Sequence, residues 1–179
     1  YPFIQEGLTD FHQTETANAG IMIRYKNILN GLFWNASYKR MWRNSDLMFT
    51  QDFKNNYIVS GWVRNPHTTQ FDNLFGSVSY MVDAIKGTLS LRGFYSRSDS
   101  YLQQSGNEQY TVSEIKQLSF NMDSSPLREL DINYSSSFSH HLYRLKGAKR
   151  QSNNRFNQKI SFTYIPVEKI NFSLIGNHY

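Results

Sequence analysis

The 179-residue chain contains no cysteine, so neither a disulfide framework nor a thiolate metal site is available to it, while an oxidising compartment stays open to it. It has no charge-free apolar run of the roughly 18 or more residues that a membrane helix requires, which excludes helical spans. Acidic residues are the scarcer charge, 14 against 19 Lys and Arg, for a net charge of +5. That balance fits attraction to nucleic acid, acidic glycans or lipopolysaccharide phosphates, and it fits an ordinary solvated surface as well. The first residues, YPFIQEGLTD, lack the basic start and apolar core of a signal peptide, so a mature, trimmed or internal stretch of protein is expected.

What the chain has in abundance is two-residue alternation. In Gln117 to Phe138, Leu118, Phe120 and Met122 alternate with Gln117, Ser119 and Asn121, and Leu130, Ile132, Tyr134 and Phe138 alternate with Asp131, Asn133, Ser135 and Ser137. Side chains on a strand point to opposite faces with period two, so this is a pair of strands with one apolar and one polar face, joined by a turn over Asp123 to Pro126. A soluble sandwich would bury the apolar face, and an outer-membrane barrel would present it to lipid. The mean hydropathy of −0.58 looks soluble, but a barrel needs only alternate residues to be apolar. The 12 Tyr, 13 Phe and 3 Trp are enough to furnish interfacial girdles.

Tyr1 to Thr16 reads as an irregular lead-in. Strand patterns follow around Ile21 to Tyr25, Leu32 to Tyr38, Val78 to Val82, Leu89 to Tyr95, the pair just described, Phe156 to Tyr164 and Ile170 to Leu174. Tight reversals centre near positions 29, 85, 125 and 167, and segments 43–71, 97–109 and 142–155 read as longer polar loops on the opposite side. Tyr57 to Arg64, with apolar residues on both faces, reads as an extra segment inside the first of these loops. About eight crossings result, enough to close a small barrel. The inward positions are largely Ser, Asn, Thr and Gly, which suits a wide lumen better than the narrow, side-chain-filled bore of eight strands. The expected fold is an all-β, antiparallel up-and-down transmembrane β-barrel, present as part of a larger wall. Tyr80, Leu91, Phe120, Ile132, Tyr134, Phe162 and Phe172 are expected to face lipid, and Ser79, Arg92, Asn121, Asn133, Ser135 and Thr163 the lumen.

The strand-turn stretches SSPLRELDINY, YIPVEKINFSL and VDAIKGTLSLRGFY resemble the barrel of TonB-dependent outer-membrane receptors, particularly the Bacteroidota type that imports glycans or peptides. The likeness runs from about Ala17 to Tyr179. It implies a barrel of about 22 strands closed by a plug, energised by the inner-membrane TonB complex, and importing a nutrient such as a glycan, peptide or metal chelate across the bacterial outer membrane. On that basis the chain supplies wall, lumen surface and external loops, and its partners are outer-membrane lipid and lipopolysaccharide, the plug and remaining strands, TonB through the parent protein, and a surface lipoprotein. Two other readings stay open: a soluble all-β binding or adhesion module, and a small self-contained structural barrel.

Chemistry is not expected of this chain. His140 and His141 are adjacent, so on a strand they face opposite ways and do not share a metal. His12, His67 and His178 lack acidic partners at ligand spacing, no Gly-rich phosphate loop precedes a helix, and no nucleophile motif is present. No enzyme activity, cofactor or metal is therefore expected. The candidate functional residues are lumen-facing Arg92, Asn121, Asn133 and Lys159, of which Arg92 and Lys159 are placed to meet a plug or an anionic ligand. A basic loop of Arg144, Lys146, Lys149, Arg150 and Arg155 is the other candidate. It carries too few aromatics for single-stranded nucleic acid, which is not expected as a partner, and suits lipopolysaccharide phosphates.

Overall fold

A computed structural model of the chain describes residues 3–5, 13–54, 57–146, 149–167 and 170–178. They form one antiparallel sheet of long strands: β2 (Thr14–Asn27), β3 (Leu32–Lys54), β4 (Tyr57–Val82), β5 (Gly87–Gln104), β6 (Asn107–Leu127), β7 (Leu130–Leu145), β8 (Gln151–Val167) and β9 (Ile170–His178). Each pairs with the next in sequence, the up-and-down order expected of a barrel wall. The short β1 (Phe3–Gln5) lies parallel to the start of β4. No α-helix occurs among the described residues, and β2 and β9 each have one neighbour, leaving their outer edges unpaired within this set.

One end of the sheet is closed by short turns. Ile28 to Gly31 joins β2 to β3, with Asn30 N–H donating to Asn27 Oδ1 at 3.2 Å and Gly31 at φ +61°, the left-handed region that glycine enters without a side-chain clash. A 3₁₀ turn, Asp83–Ile85, and Lys86 at φ 46° join β4 to β5. The third reversal is Arg128 and Glu129, and not Asp123 to Pro126 as the sequence pattern suggests, because β6 continues through a bulge to Leu127. There Ser125 and Pro126 together oppose Asp131. The same arrangement recurs where Ile165 and Pro166 oppose Asn171, and again where Asn65 and Pro66 oppose Asp46. Proline has no N–H for the ladder, and a bulge is where a strand tolerates that loss. The fourth reversal, expected over Pro166 to Lys169, has its central residues 168 and 169 outside the described residues.

The short turns are also stitched to one another. The carbonyl before each new strand accepts an amide from the following hairpin: Gly31 from Met81 at 2.9 Å, Lys86 from Ser125 at 3.2 Å, and Glu129 from Ile165 at 2.8 Å.

The opposite end differs from the loops expected at 43–71, 97–109 and 142–155. β3 and β4 carry their pairing through Lys54 and Tyr57, so Tyr57 to Arg64 is the beginning of β4, paired with Leu47 to Lys54, and not an unpaired segment inserted in a loop. β5 and β6 pair down to a two-residue turn, Ser105 and Gly106 at φ 50° and 80°, which matches strand twist in a tight hairpin. β7 extends to Leu145 and β8 begins at Gln151. Ladder bonds come from the backbone, so these stretches pair even though polar residues on both faces hide the period. For the same reason β2 starts at Thr14, inside what reads as an irregular lead-in, and β1 falls there too.

Beyond the bulge at Asp46, the β3–β4 hairpin folds over its neighbour. Phe49–Gln51 of β3 pairs in parallel with Leu102–Gln104 of β5, and Ser105 N–H donates to the Gln51 carbonyl at 3.2 Å. The side chains buried most deeply, Met48 and Ser60, lie in this arm, and Val112 and Leu142 are buried at the same end of the sheet.

Candidate functional site

Cross-strand partners share a face, so the ladder can be followed in rows across the sheet. One row reads Tyr25, Trp34, Val78, Leu91, Phe120, Ser136 and Gln158, and the row beside it on the same face reads Ile23, Ala36, Gly76, Gly93, Leu118, Phe138 and Phe156. This apolar face is uncovered: Ile23, Val78, Leu91, Leu118, Phe138, Phe156 and Phe172 are all exposed. Tyr25 stacks on Trp34 with ring centroids 5.9 Å apart, and Gln158, a polar intruder, donates to Tyr134 Oη at 3.1 Å. Ile132, Phe162, Tyr80 and Tyr134 lie on the same face, so the whole set read as apolar-facing falls together.

The belt ends at a charged row toward the long-hairpin end. Arg40 Nε lies 2.8 Å from Asp72, Arg97 3.5 Å from Asp99, and Arg144 3.4 Å from Glu114. Tyr38 Oη donates to Asp72 at 2.7 Å. Partial burial alone would raise the Asp72 carboxyl, but the hydrogen bonds from Tyr38 and Arg40 and the charges of Arg40 and Arg97 hold it below the ordinary carboxylate range. Burial, then a hydrogen bond to Asp99, pushes the Tyr110 phenol up.

The other face carries Ser79, Asn121, Ser135 and Lys159 in one row and Asn35, Ser77, Arg92, Ser119, Ser137 and Asn157 in the next. Arg92, Asn121, Asn133 and Lys159, read from the sequence as one functional set, line a common open recess of about 450 Å³ with Ser90, Asp123 and Ser161. A neighbouring recess over β6 to β8 is lined by Gln117, Ser119, Ser137 and Asn157. These are hydrogen-bonding surfaces without a convergent metal set: among the described residues no group of three or more His, Asp or Glu is placed to hold an ion.

The basic loop does not stay together. Arg144 sits on the apolar-face side, paired with Glu114, whereas Arg155 lies in a polar-face row opposite Ser139. Lys146 is at the end of β7, where its N–H donates to the Tyr110 carbonyl at 2.9 Å, and Lys149 and Arg150 are exposed just before β8.

Two features went unread in the sequence. The polar face is not uniformly polar: Phe75 and Phe94 are direct cross-strand partners on it, in a row with Met22, Ser37 and Gln117. The signal was parity, since Phe94 falls in step with Arg92 and not with Leu91. The second is the aromatic group at the long-hairpin end, where Tyr101 lies 5.3 Å from His67 and 5.0 Å from Tyr110 between ring centroids.

No family model and no curated protein matches the sequence. Among solved structures, the ferric-catecholate import receptor Fiu from E. coli K12 is similar in fold. Its closed form aligns at 12% identity and TM-score 0.52 over 89% of this chain and 32% of that one; its open form aligns at 11% identity and TM-score 0.58 over 92% and 35%. The chain thus spans about a third of the length of these structures. The likeness shows the fold, the antiparallel up-and-down wall of a β-barrel.

Proposed function

We propose that the chain is a wall and hairpin segment of an outer-membrane receptor of the TonB-dependent type, which imports a nutrient and performs no chemistry. The observation that carries this reading is the apolar face: it is continuous across β2 to β9, uncovered by any described part of the chain, and bounded by the Arg40–Asp72 row. Leu74 to Val82 measures roughly 27 Å along the strand at about 3.4 Å per residue. Barrel tilt shortens that to on the order of 20 Å of height, near the lipid-facing band of about 25 Å in such barrels.

The recess residues Arg92, Asn121, Asn133 and Lys159 then face the lumen, and the long hairpins within 43–71, 97–109 and 142–155 stand outside the bilayer. Lipid offers no hydrogen bonds to an open sheet edge, so β2 and β9 pair with further strands of the parent barrel. The parent's plug, TonB acting through it, lipopolysaccharide at Lys149 and Arg150, and a surface lipoprotein complete the partners. The receptor fold and the strand-turn resemblance support import, and that resemblance favours the Bacteroidota type with a glycan, peptide or metal chelate as cargo.

Trp34 tests the reading, since it projects from the apolar face inside the belt. With Trp42→Phe and Trp62→Phe in place, brominated lipid is expected to quench the remaining fluorescence strongly. A detergent-free monomer that unfolds cooperatively, with Trp34 untouched by brominated lipid, overturns the membrane assignment and favours a soluble binding module.

A further inference from the structure

We infer that the turn between β2 and β3 is an anchor set in the membrane, its Ile28 and Leu29 side chains sunk among phospholipid acyl chains at the short-turn border of the belt. The inference rests on the reading above that the apolar face meets lipid.

Leu29 is 96% exposed, more than any other large apolar side chain among the described residues, and its neighbour Ile28 is 72% exposed. A single exposed leucine is ordinary, but a contiguous exposed apolar patch marks a contact surface. The other turns at this end are of another kind. Asp83 and Lys86 stand between β4 and β5, Arg128 and Glu129 between β6 and β7, and Glu168 and Lys169 hold the corresponding place in the sequence between β8 and β9. The stretch from Ile28 to Gly31 carries no charge.

Strand register accounts for the difference. One row of the apolar face reads Val82, Gly87, Ser124, Ile132, Phe162 and Leu174 across β4 to β9. β2 and β3 stop one row short of it, because their ladder closes at Asn27 and Leu32, level with Tyr80. The turn takes their place in that row, held there by Met81 N–H, which donates to the Gly31 carbonyl at 2.9 Å. Ile21 is level with Leu74 through Tyr38, so Ile21 to Leu29 repeats on β2 the span of Leu74 to Val82 on β4.

A turn in that position needs its polar groups answered within the protein. Asn30 N–H donates to Asn27 Oδ1 at 3.2 Å, and Gly31 N–H to the Ile28 carbonyl at 3.3 Å. Asn27 Nδ2 donates to Tyr25 Oη at 3.3 Å, so both ends of that amide are engaged inside the hairpin. Continuity with the belt selects lipid as the cover, and short turns stand on the periplasmic side, which selects the phospholipid leaflet. An interfacial segment of this kind holds by the apolar area it sinks into the headgroup and acyl boundary.

The test places the photoreactive p-benzoylphenylalanine at position 29, at position 128 and at position 118, each alone, in the protein within its native membrane. Position 29 is expected to label phospholipid acyl chains, and position 128, the same probe in a charged turn, is expected not to. Ile28→Ser should lower the lipid yield at position 29 about tenfold, the change in partition that follows from taking one aliphatic side chain out of lipid. The yield at position 118 should not change, which shows the wall still folded and in place. Labelling of protein or lipopolysaccharide at position 29, no labelling there, or equal lipid labelling at positions 29 and 128 overturns the anchor. So does an effect of Ile28→Ser that is absent at position 29 or equally large at position 118. Position 118 also reads the membrane assignment by itself: acyl labelling there without acyl labelling at position 29 sinks the anchor and leaves the membrane wall standing, whereas protein labelling at position 118 brings down both.

Discussion

The two ends of this sheet are stabilised by different means. At the long-hairpin end, side chains bury one another: Met48 and Ser60 are each 1% exposed, Phe49 meets Trp62 edge-on at 5.4 Å, and three ion pairs cap the wall. At the short-turn end the backbone carries the order, through bulges at Ser125–Pro126 and Ile165–Pro166 and carbonyls at Gly31, Lys86 and Glu129 that stitch each turn to the next hairpin. Between them stands a belt whose large side chains touch nothing of the chain on their outer side. One end is packed by its own side chains, and the belt is covered by no described part of the chain.

The comparison breaks first at Met48. Met48→Ala removes the most buried side chain of the arm, and truncating a buried methionine costs about 2–5 kcal/mol. The loss should be confined to the long-hairpin end, seen as faster amide exchange over Leu47 to Arg64 with the belt strands unchanged. Equal loosening of β7 and β8 would show that the arm and the wall are one cooperative unit.

Phe138→Arg attacks the belt instead. A charge on the lipid face of a barrel near the midplane costs roughly 2–4 kcal/mol, and its neighbour Ser137→Arg, pointing the other way, should cost little. Refolding yield in lipid vesicles measures both. Parity of the two variants would erase the distinction between the faces.

Gly87→Ala sharpens the account of the short-turn end. A Cβ there would lie 2.2 Å from the Asp123 carbonyl oxygen and 2.8 Å from Ser124 Cα, both backbone atoms, so β5 and β6 must part. Overpacking of that kind costs about 1–3 kcal/mol. Thermal unfolding in detergent should fall accordingly, while Gly93→Ala, which meets nothing within 4 Å, should leave the midpoint in place.

The belt was legible from sequence because its chemistry alternates with the pleat: Leu118, Phe120 and Met122 against Gln117, Ser119 and Asn121 can be read without coordinates. The arm was not, because Tyr57 to Arg64 places apolar residues on both faces and so shows no two-residue period. The long hairpins were hidden for the opposite reason, since a ladder with water on both faces has no need of a hydrophobic period. Asp123 to Pro126 misled by composition: Ser, Ser and Pro are turn residues, and they are bulge residues as well. The recess set Arg92, Asn121, Asn133 and Lys159 was legible from parity alone, whereas the separation of Arg144 from Arg155 depends on the strand register of β7 against β8.

The smallest expected effect lies at the border between the two regions. Asp72 sits in the first row beyond the belt, where it accepts from Tyr38 and pairs with Arg40. Its carboxyl is held below the ordinary range in the folded protein, so the folded state binds that proton less readily than the unfolded chain does. The stabilisation it brings is therefore fully present above the unfolded carboxylate value and is lost as pH falls through the folded one. Asp72→Asn should lower stability slightly at neutral pH and hardly at all in acid, so that the stability curves of the two proteins converge as pH drops. Because Arg40 is partly solvated, salt should narrow the neutral-pH gap as well. Curves that stay parallel into acid, or a gap indifferent to salt, would place the contribution of Asp72 in its packing and leave the border without an electrostatic cap.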